Sequence, residues 1–582
     1  MLLLNCMKEY QERVFSLLIC ALVLLAQQAL SQQNQGYIAS LGKQNHWVDS
    51  VYRKLSLKQR IAQLFFIRAT TDKGQAYEDS VGKVIKDLQV GGLVFFQGGP
   101  VRQVELSNKY QKLTRVPLMI TQDAEWGLGM RLDSTISYPF QMTLGAIQDN
   151  TLIYKMGQFV AYDFKRMGMQ MNLAPDMDVN NNPDNPVINY RSFGDNKYHV
   201  ADKGIAYMRG MQNGGILTTA KHFPGHGDTN VDSHLDLPLL PFNRKRLDTL
   251  EEYPFKQAIK AGIAGVMIAH MNVPALDSTK NLPSTLSRPI ITGNLRDSLG
   301  FKGLIVSDAM EMKAVVRYCP DGEADVKAFL AGNDIIELSG NTALAIDLIK
   351  KEVRKRHISK KEFEARVKRV LAAKYWSGLN HYQETSTENL VNDLTRPGAK
   401  ELVQKLADNA ITLLKGDVNT LRLNPILKTA IVLVGVNKPT VFSAELAKWY
   451  NNNQLFIVDK AAPADQLLKL LSELRQYDQV YLSVNDTRAR PAGKLDYTES
   501  VKIFVSEVAA QPHAVISVFA NAYTIAGIPG IERCGALLTG YQMSDELQRA
   551  AVGVIAGLIP PKGKLPVRIN QLFPSGTGLT LK

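Results

Sequence analysis

Eight short apolar runs, separated by stretches of helical period, constrain this chain more than any other feature. The runs cover 61–69, 90–97, 118–121, 169–179, 216–221, 265–270, 303–307 and 334–338. Between several of them lie segments such as 150–167, 246–261 and 322–331, with apolar residues at helical spacing. Strands that are apolar throughout belong in a parallel sheet covered on both faces. Eight of them alternating with helices predict a (β/α)8 TIM-like barrel.

The pattern fades near Trp376. A polar stretch ending in Arg396-Pro397-Gly398 reads as a linker, followed by a helix over 399–414. A second α/β alternation follows, with strands expected at 429–436, 455–458, 479–484, 514–520 and 535–540. It predicts a smaller three-layer α/β sandwich domain. Neither G-x-G-x-x-G after its first strand nor G-x-x-x-x-G-K-[ST] occurs, so nucleotide binding is not indicated. A chain of 582 residues is long for one core. The expected division is a signal peptide over 1–31, the barrel over 40–380, a linker over 381–398 and the second domain over 399–582.

Export is expected from the N-terminus. Lys8 and Arg13 precede an apolar run over 15–26, and Ala29-Leu30-Ser31 offers the small residues of a cleavage site after Ser31. The run is short for a bilayer, so no stable membrane insertion is expected after cleavage, and the destination is periplasmic or secreted. Ile19 before Cys20 stands where a lipoprotein signal needs a small residue. Cys319 and Cys534 then remain, far apart and without metal-ligand spacing, and are expected as separate thiols. The net charge of +13 suits an anionic polymer such as cell-wall glycan. No basic run or aromatic–basic interleaving points to nucleic acid.

Polar residues gather at the far ends of five runs. Asp123 and Glu125 follow the third, Asp176 and Asp178 close the fourth, and Lys221 and His222 the fifth. His270 closes the sixth and Asp308 the seventh. In a parallel barrel these ends share the face where active sites form. Any one of them alone reads as a helix cap or turn residue before it reads as a catalyst; five strands ending alike is harder to assign to capping. Asp308 is placed to act as an anionic nucleophile or base. His234, two residues after Asp232, is a candidate proton donor with a carboxylate to orient it.

The loop that begins with Lys221-His222-Phe223-Pro224-Gly225-His226-Gly227-Asp228-Thr229 and continues through Asp232-Ser233-His234 carries a resemblance. With Ala269-His270, Thr285-Leu286-Ser287, Ser307-Asp308 and Met312, it resembles the signature of bacterial two-domain β-N-acetylglucosaminidases of glycoside hydrolase family 3, of the peptidoglycan-recycling kind. Pro560-Pro561-Lys562-Gly563-Lys564-Leu565-Pro566-Val567 is similar, more weakly, to that family's closing motif.

The resemblance implies an exo-acting retaining enzyme that removes non-reducing terminal GlcNAc from β-linked glycosides, with a muropeptide or other GlcNAc glycan as substrate and no cofactor or metal. Asp308 would form the glycosyl-enzyme bond, and the Asp232–His234 pair would move the proton. Asp123, Arg191, Lys221 and His222 would hold sugar hydroxyls; spacing alone is equally consistent with Arg191 salt-bridged to Asp176 or Asp178. The family's D-x-E-G-G-R is here Asp123-Ala124-Glu125-Trp126-Gly127-Leu128, and Arg131 falls where a later family arginine sits. Trp126 reads either as a sugar platform or as a plug of the barrel mouth.

Three rivals stand beside this reading. A metal-dependent barrel hydrolase would use His222, His226, His234 and Asp228 as ligands. A related β-glycosidase or phosphorylase of the same family would differ in its sugar or pass the glycosyl group to phosphate. A non-catalytic glycan-binding protein would not need Asp308. The sequence leaves aglycone and oligomeric state open.

Overall fold

A computed structural model describes residues 36–581, apart from 234, 321 and 422. The expected signal peptide, residues 1–31, lies outside the described residues.

Eight parallel strands form the barrel. They are β1 (Phe65–Ala69), β2 (Gly92–Phe95), β3 (Met119–Gln122), β4 (Met171–Asn172), β5 (Leu217–Phe223), β6 (Gly265–Ile268), β7 (Leu304–Ser307) and β8 (Ile336–Glu337). Their order is β7-β6-β5-β4-β3-β2-β1-β8. The ends meet where Ser307 N–H donates to Ile335 O at 2.9 Å and Ile335 N–H to Ile305 O at 3.0 Å. Nearly every strand residue is buried, as strands covered on both faces require.

Local chemistry trims the expected runs. Ser56 and Gln59 form a capping box that starts a helix over Leu57–Ala62, so the first strand begins only at Phe65. The fourth run pairs as strand only at Met171–Asn172; beyond it an isolated bridge joins Asp176 to Lys221. Helix Asn150–Arg166 begins where Asp149 accepts from Thr151 N–H and ends on Lys165 and Arg166, cations at the negative end of its dipole.

The second sheet has six strands where five were expected. They are β9 (Thr412–Lys415), β10 (Thr429–Val434), β11 (Asn453–Val458), β12 (Gln479–Asn485), β13 (Ala514–Phe519) and β14 (Ala536–Thr539), in the order β11-β10-β12-β13-β14-β9. The helix expected over 399–414 stops at Ala410. The β-branched Ile411-Thr412 leads instead into β9, which pairs antiparallel with β14 at the sheet edge. The polar segment before it is not bare chain: it holds a helix over Leu390–Leu394, where Asp393 accepts from Arg166 Nε at 2.7 Å.

The second domain leans on the loop that follows β4. Asn180 Nδ2 donates to Tyr523 Oη at 2.9 Å, and Arg568 N–H to Asp195 Oδ2 at 2.7 Å. A further tie runs from Phe140 N–H to Gln542 Oε1 at 2.7 Å. Its weight therefore falls on the face of the barrel where the strands end. Cys319 and Cys534 are both buried free thiols.

Candidate active site

Lys221 and His222, adjacent on β5, turn to different partners. Lys221 Nζ lies 2.8 Å from Asp123 Oδ1 and 2.8 Å from Glu125 Oε1, both on the segment after β3. His222 Nδ1 lies 2.8 Å from Asp178 Oδ2, on the segment after β4. Asp178 also accepts the backbone N–H of His226 at 2.6 Å. Burial works to raise the Asp178 carboxyl, but the hydrogen bond and charge of His222 and the backbone hydrogen bond of His226 hold it below its usual range. Asp176 moves the other way, raised by burial and by the charge of Asp178.

Arg191 stands in a short 3-10 turn, Asn189–Arg191, on the same loop. Its guanidinium forks Glu125, Nε to Oε2 at 3.0 Å and Nη2 to Oε1 at 2.7 Å. The salt bridge considered from spacing falls elsewhere than on Asp176 or Asp178: Asp176 Oδ2 is 4.0 Å away, and the carboxylate in contact is Glu125. Burial alone would raise Glu125, yet Arg191 and Lys221 hold it down at about 2. Arg131 supplies a second cation to Asp123, 2.6 Å from Oδ2. Leu128, at the family's arginine position, is buried instead. Thus Asp123, Arg191, Lys221 and His222 form one charge-compensated cluster, with Glu125 and Asp178 as its hidden anions. Asp123 remains 16% exposed and Arg191 14%, enough to meet a ligand from the open side.

Two glycines explain how these segments come so close. A Cβ on Gly227 would lie 1.9 Å from Val179 O, so the loop after β5 can press on the loop after β4 only with glycine there. Gly194, three residues after Arg191, has φ +145°, and a Cβ would lie 2.2 Å from Pro566 O of the second domain. The closing motif of the chain thereby props the arginine turn.

Asp308 follows β7. Its N–H donates to Ile268 O at 3.0 Å, and its Oδ1 accepts from Ala309 N–H at 2.7 Å. His270, after β6, braces the next residue: Nε2 lies 2.9 Å from Ala309 O, and Nδ1 lies 2.6 Å from Thr285 Oγ1. A carbonyl only accepts, so Nε2 carries the proton and Nδ1 receives the threonine hydroxyl. Asp308 and His222 both act on the ring of His226, and Asp308, Asp123 and Lys221 all act on the carboxyl of Glu337. The end of β7 thus faces the Lys221 cluster across the barrel mouth.

His226 had no assigned role from sequence. Its Nδ1 sits 2.7 Å from Thr229 Oγ1 and its Nε2 3.2 Å from Ser233 Oγ. The Thr229 hydroxyl donates to His226 O, so Nδ1 is the donor to Thr229 and Nε2 accepts from Ser233. Burial, with the nearby charge of His222, pushes this imidazole down to about 4, and it stays neutral. It staples the loop just before Asp232 and His234. His234 lies outside the described residues; the carbonyl of Asp232 accepts from Leu235 and Asp236 N–H at 2.9 and 3.0 Å.

The ligand set of the metal rival is not assembled by its described members. His226 is turned to Thr229 and Ser233, and Asp228 to Arg246 Nη2 at 2.8 Å. Among the described residues, the trio whose ligand atoms lie within 4.8 Å of one another is Asp176, Asp178 and His222. Asp178 is already taken by N–H donors, and the Arg191 guanidinium supplies positive charge to the same corner.

Trp126 packs on Phe140, ring centroids 4.8 Å apart, and Phe140 in turn on Tyr190 at 4.8 Å. The tryptophan is part of a three-ring wall beside Arg191.

Comparison with known proteins decides the family. The glycosyl hydrolase family 3 N-terminal domain model matches residues 56–373. The chain belongs to glycosyl hydrolase family 3. It is 34% identical over 278 residues to β-hexosaminidase A of Pseudoalteromonas piscicida, a stretch covering 44% of this chain and 46% of that protein. It therefore spans about half the length of that relative. An uncharacterized secreted glycosyl hydrolase of Arthroderma benhamiae is 30% identical over 309 residues, 50% of this chain and 87% of that protein. Among solved structures, a glycoside hydrolase family 3 β-N-acetylglucosaminidase from a Paenibacillus species aligns with TM-score 0.75 at 30% identity, covering 89% of this chain and 99% of that one. The barrel and its second domain are thus the family's architecture.

Sequence reading missed Glu125 as the partner of Arg191 and did not single out Glu337. The signal for Glu125 was its place two residues after Asp123. Glu337 was hidden inside an apolar run.

Proposed function

We propose that this protein is a retaining, exo-acting β-N-acetylglucosaminidase that releases non-reducing terminal GlcNAc from β-linked glycosides, peptidoglycan fragments among them. The observation that carries it is the convergence of Asp123, Lys221, His222 and the Arg191–Glu125 pair opposite Asp308. The name of the 30%-identical Paenibacillus structure, which spans both domains, supports the sugar. Buried, mutually paired donors and acceptors are what discriminate a hydroxyl-rich ring from water.

In this reading the carboxylate of Asp308 attacks the anomeric carbon as the bond from that carbon to the leaving oxygen breaks. His234, oriented by Asp232, donates a proton to the leaving oxygen. In the second half, His234 takes a proton from water, the water oxygen bonds to the anomeric carbon, and the ester to Asp308 breaks. A histidine suits both halves because its ordinary pKa lies near neutrality. Export to the periplasm or medium goes with this substrate, and the Arthroderma relative, named a secreted glycosyl hydrolase, supports it.

The test is trapping with an activated 5-fluoro derivative of GlcNAc, followed by peptide mapping. The expected adduct is on Asp308. An adduct on any other residue sinks the mechanism, and no release of GlcNAc from a simple aryl β-GlcNAc glycoside sinks the activity.

A further inference from the structure

Glu337 is a buried carboxyl in the barrel mouth that has been given no partner. It ends β8, next to β7 in the closed barrel, and is only 3% exposed. Its backbone is clamped to the Asp308 segment on both sides: Glu337 N–H donates to Ser307 Oγ at 3.0 Å, and Met310 N–H donates to Glu337 O at 3.0 Å. The side chain has no such clamp. Oε1 is buried and has no hydrogen-bond partner among the described residues. The charges that reach it come from three other strand ends: Asp123 after β3, Asp308 after β7 and Lys221 on β5.

Several other buried acids of this barrel are hydrogen-bonded to a cation. Glu125 has Arg191 and Lys221, Asp163 has Arg396, and Asp334 has Arg296 and Arg369. Asp176, whose Oδ2 also lacks a hydrogen-bond partner among the described residues, at least has Arg191 and His222 within 4.0 Å. An orphaned buried polar atom is costly in a folded protein, so its retention calls for a partner that arrives later. The position says which. Asp123 is the proposed holder of sugar hydroxyls and Asp308 the proposed nucleophile, so a ring lying between them passes in front of β8.

We propose that Glu337 is a substrate-contacting residue, its unpartnered carboxyl oxygen exchanging a hydrogen bond with a ring hydroxyl of the sugar held between Asp123 and Asp308. The inference rests on the glycosidase reading above and adds a residue to it. Burial and the like charges of Asp123 and Asp308 push this carboxyl well above its usual range, and Lys221 only partly offsets them. A protonated acid both donates and accepts, and it adds no second negative charge beside the nucleophile.

The experiment measures calorimetric binding of an uncleaved aryl β-thioglycoside of GlcNAc and of its 3-, 4- and 6-deoxy forms. Wild type is compared with Glu337→Leu and with Glu337→Asp, which keeps a buried acid but withdraws it by one methylene. In wild type, each deoxy form that loses a buried hydrogen bond binds about five- to tenfold more weakly. One of these penalties is expected to vanish in both variants, while the others persist. Retention of all the penalties in either folded variant overturns the role of Glu337. If wild type does not bind the parent thioglycoside, the glycosidase reading falls and takes this inference with it.

Discussion

Arg191 clasps Glu125 through two parallel N–H···O bonds, although the residues lie 66 positions apart and on different loops. The carboxylate is fully buried. Removing one member of a buried pair leaves the other charge uncompensated, a loss on the order of 3–5 kcal/mol. Glu125→Gln is therefore expected to lower the urea midpoint strongly and to raise KM, since Arg191 loses its anchor and Lys221 keeps only Asp123. The pH dependence follows from the depressed carboxyl. Its stabilisation is present above the ordinary 4.5 and is lost as pH falls toward about 2. Wild type should show that acid slope, and Glu125→Gln should show less of it. A variant as stable as wild type at pH 7 would refute the pair's structural weight.

Asp308→Gly is expected to reduce turnover by about 10⁴-fold or more, the scale seen when a nucleophile is removed, with circular dichroism unchanged. Azide added to this variant with an aryl glycoside should restore leaving-group release and yield the α-linked sugar azide. Recovery of only the β-linked azide would mean that Asp308 is not the group that attacks.

His270 braces the segment that carries Asp308: its Nε2–H holds Ala309 O, one residue beyond the aspartate. Small displacements of a reacting group are expensive in rate. His270→Phe should lower kcat about ten- to a hundredfold with KM little changed. An equal effect on kcat and KM, or none, would deny the positioning role.

The buried ring of His226 sits at about 4 against an ordinary 6.5. Between these values the unfolded chain binds the proton and the folded chain does not. Stability should thus fall as pH drops from about 6.5 to 4, by on the order of 2–3 kcal/mol from this group. The slope should be weaker in His226→Gln, in which the side-chain amide can still meet Thr229 or Ser233. Denaturant midpoints measured across this range check it, and parallel curves for the two proteins would count against it.

Gly194→Ala places a methyl 2.2 Å from Pro566 O at a backbone angle that L residues avoid. About 2 kcal/mol of stability or more should be lost, and KM should rise because the Arg191 turn loses its prop. An unchanged KM would separate Gly194 from the sugar pocket.

The barrel was legible in the chain because burial on both faces leaves a local trace: each strand reads as an apolar run, and Asp123, Lys221, His270 and Asp308 stand out where the runs end. The edge strand β9 was not legible. Ile411-Thr412-Leu413-Leu414 continues the apolar spacing of the helix before it, and only pairing with β14 makes it a strand. Short apolar segments carry no period of their own, so the neighbour decides.

What the sequence determined by itself was the order of elements and the kinds of side chain delivered to one face of the barrel, since periodicity and turn residues act over a few positions. The tertiary structure decided the partners. It set Arg191 on Glu125 rather than on Asp176 or Asp178, turned His226 inward as a staple, and left the Glu337 carboxyl facing Asp123, Asp308 and Lys221. Those relations join residues tens to hundreds of positions apart. They depend on barrel closure and on the second domain resting against the loop after β4, distances that no local pattern encodes.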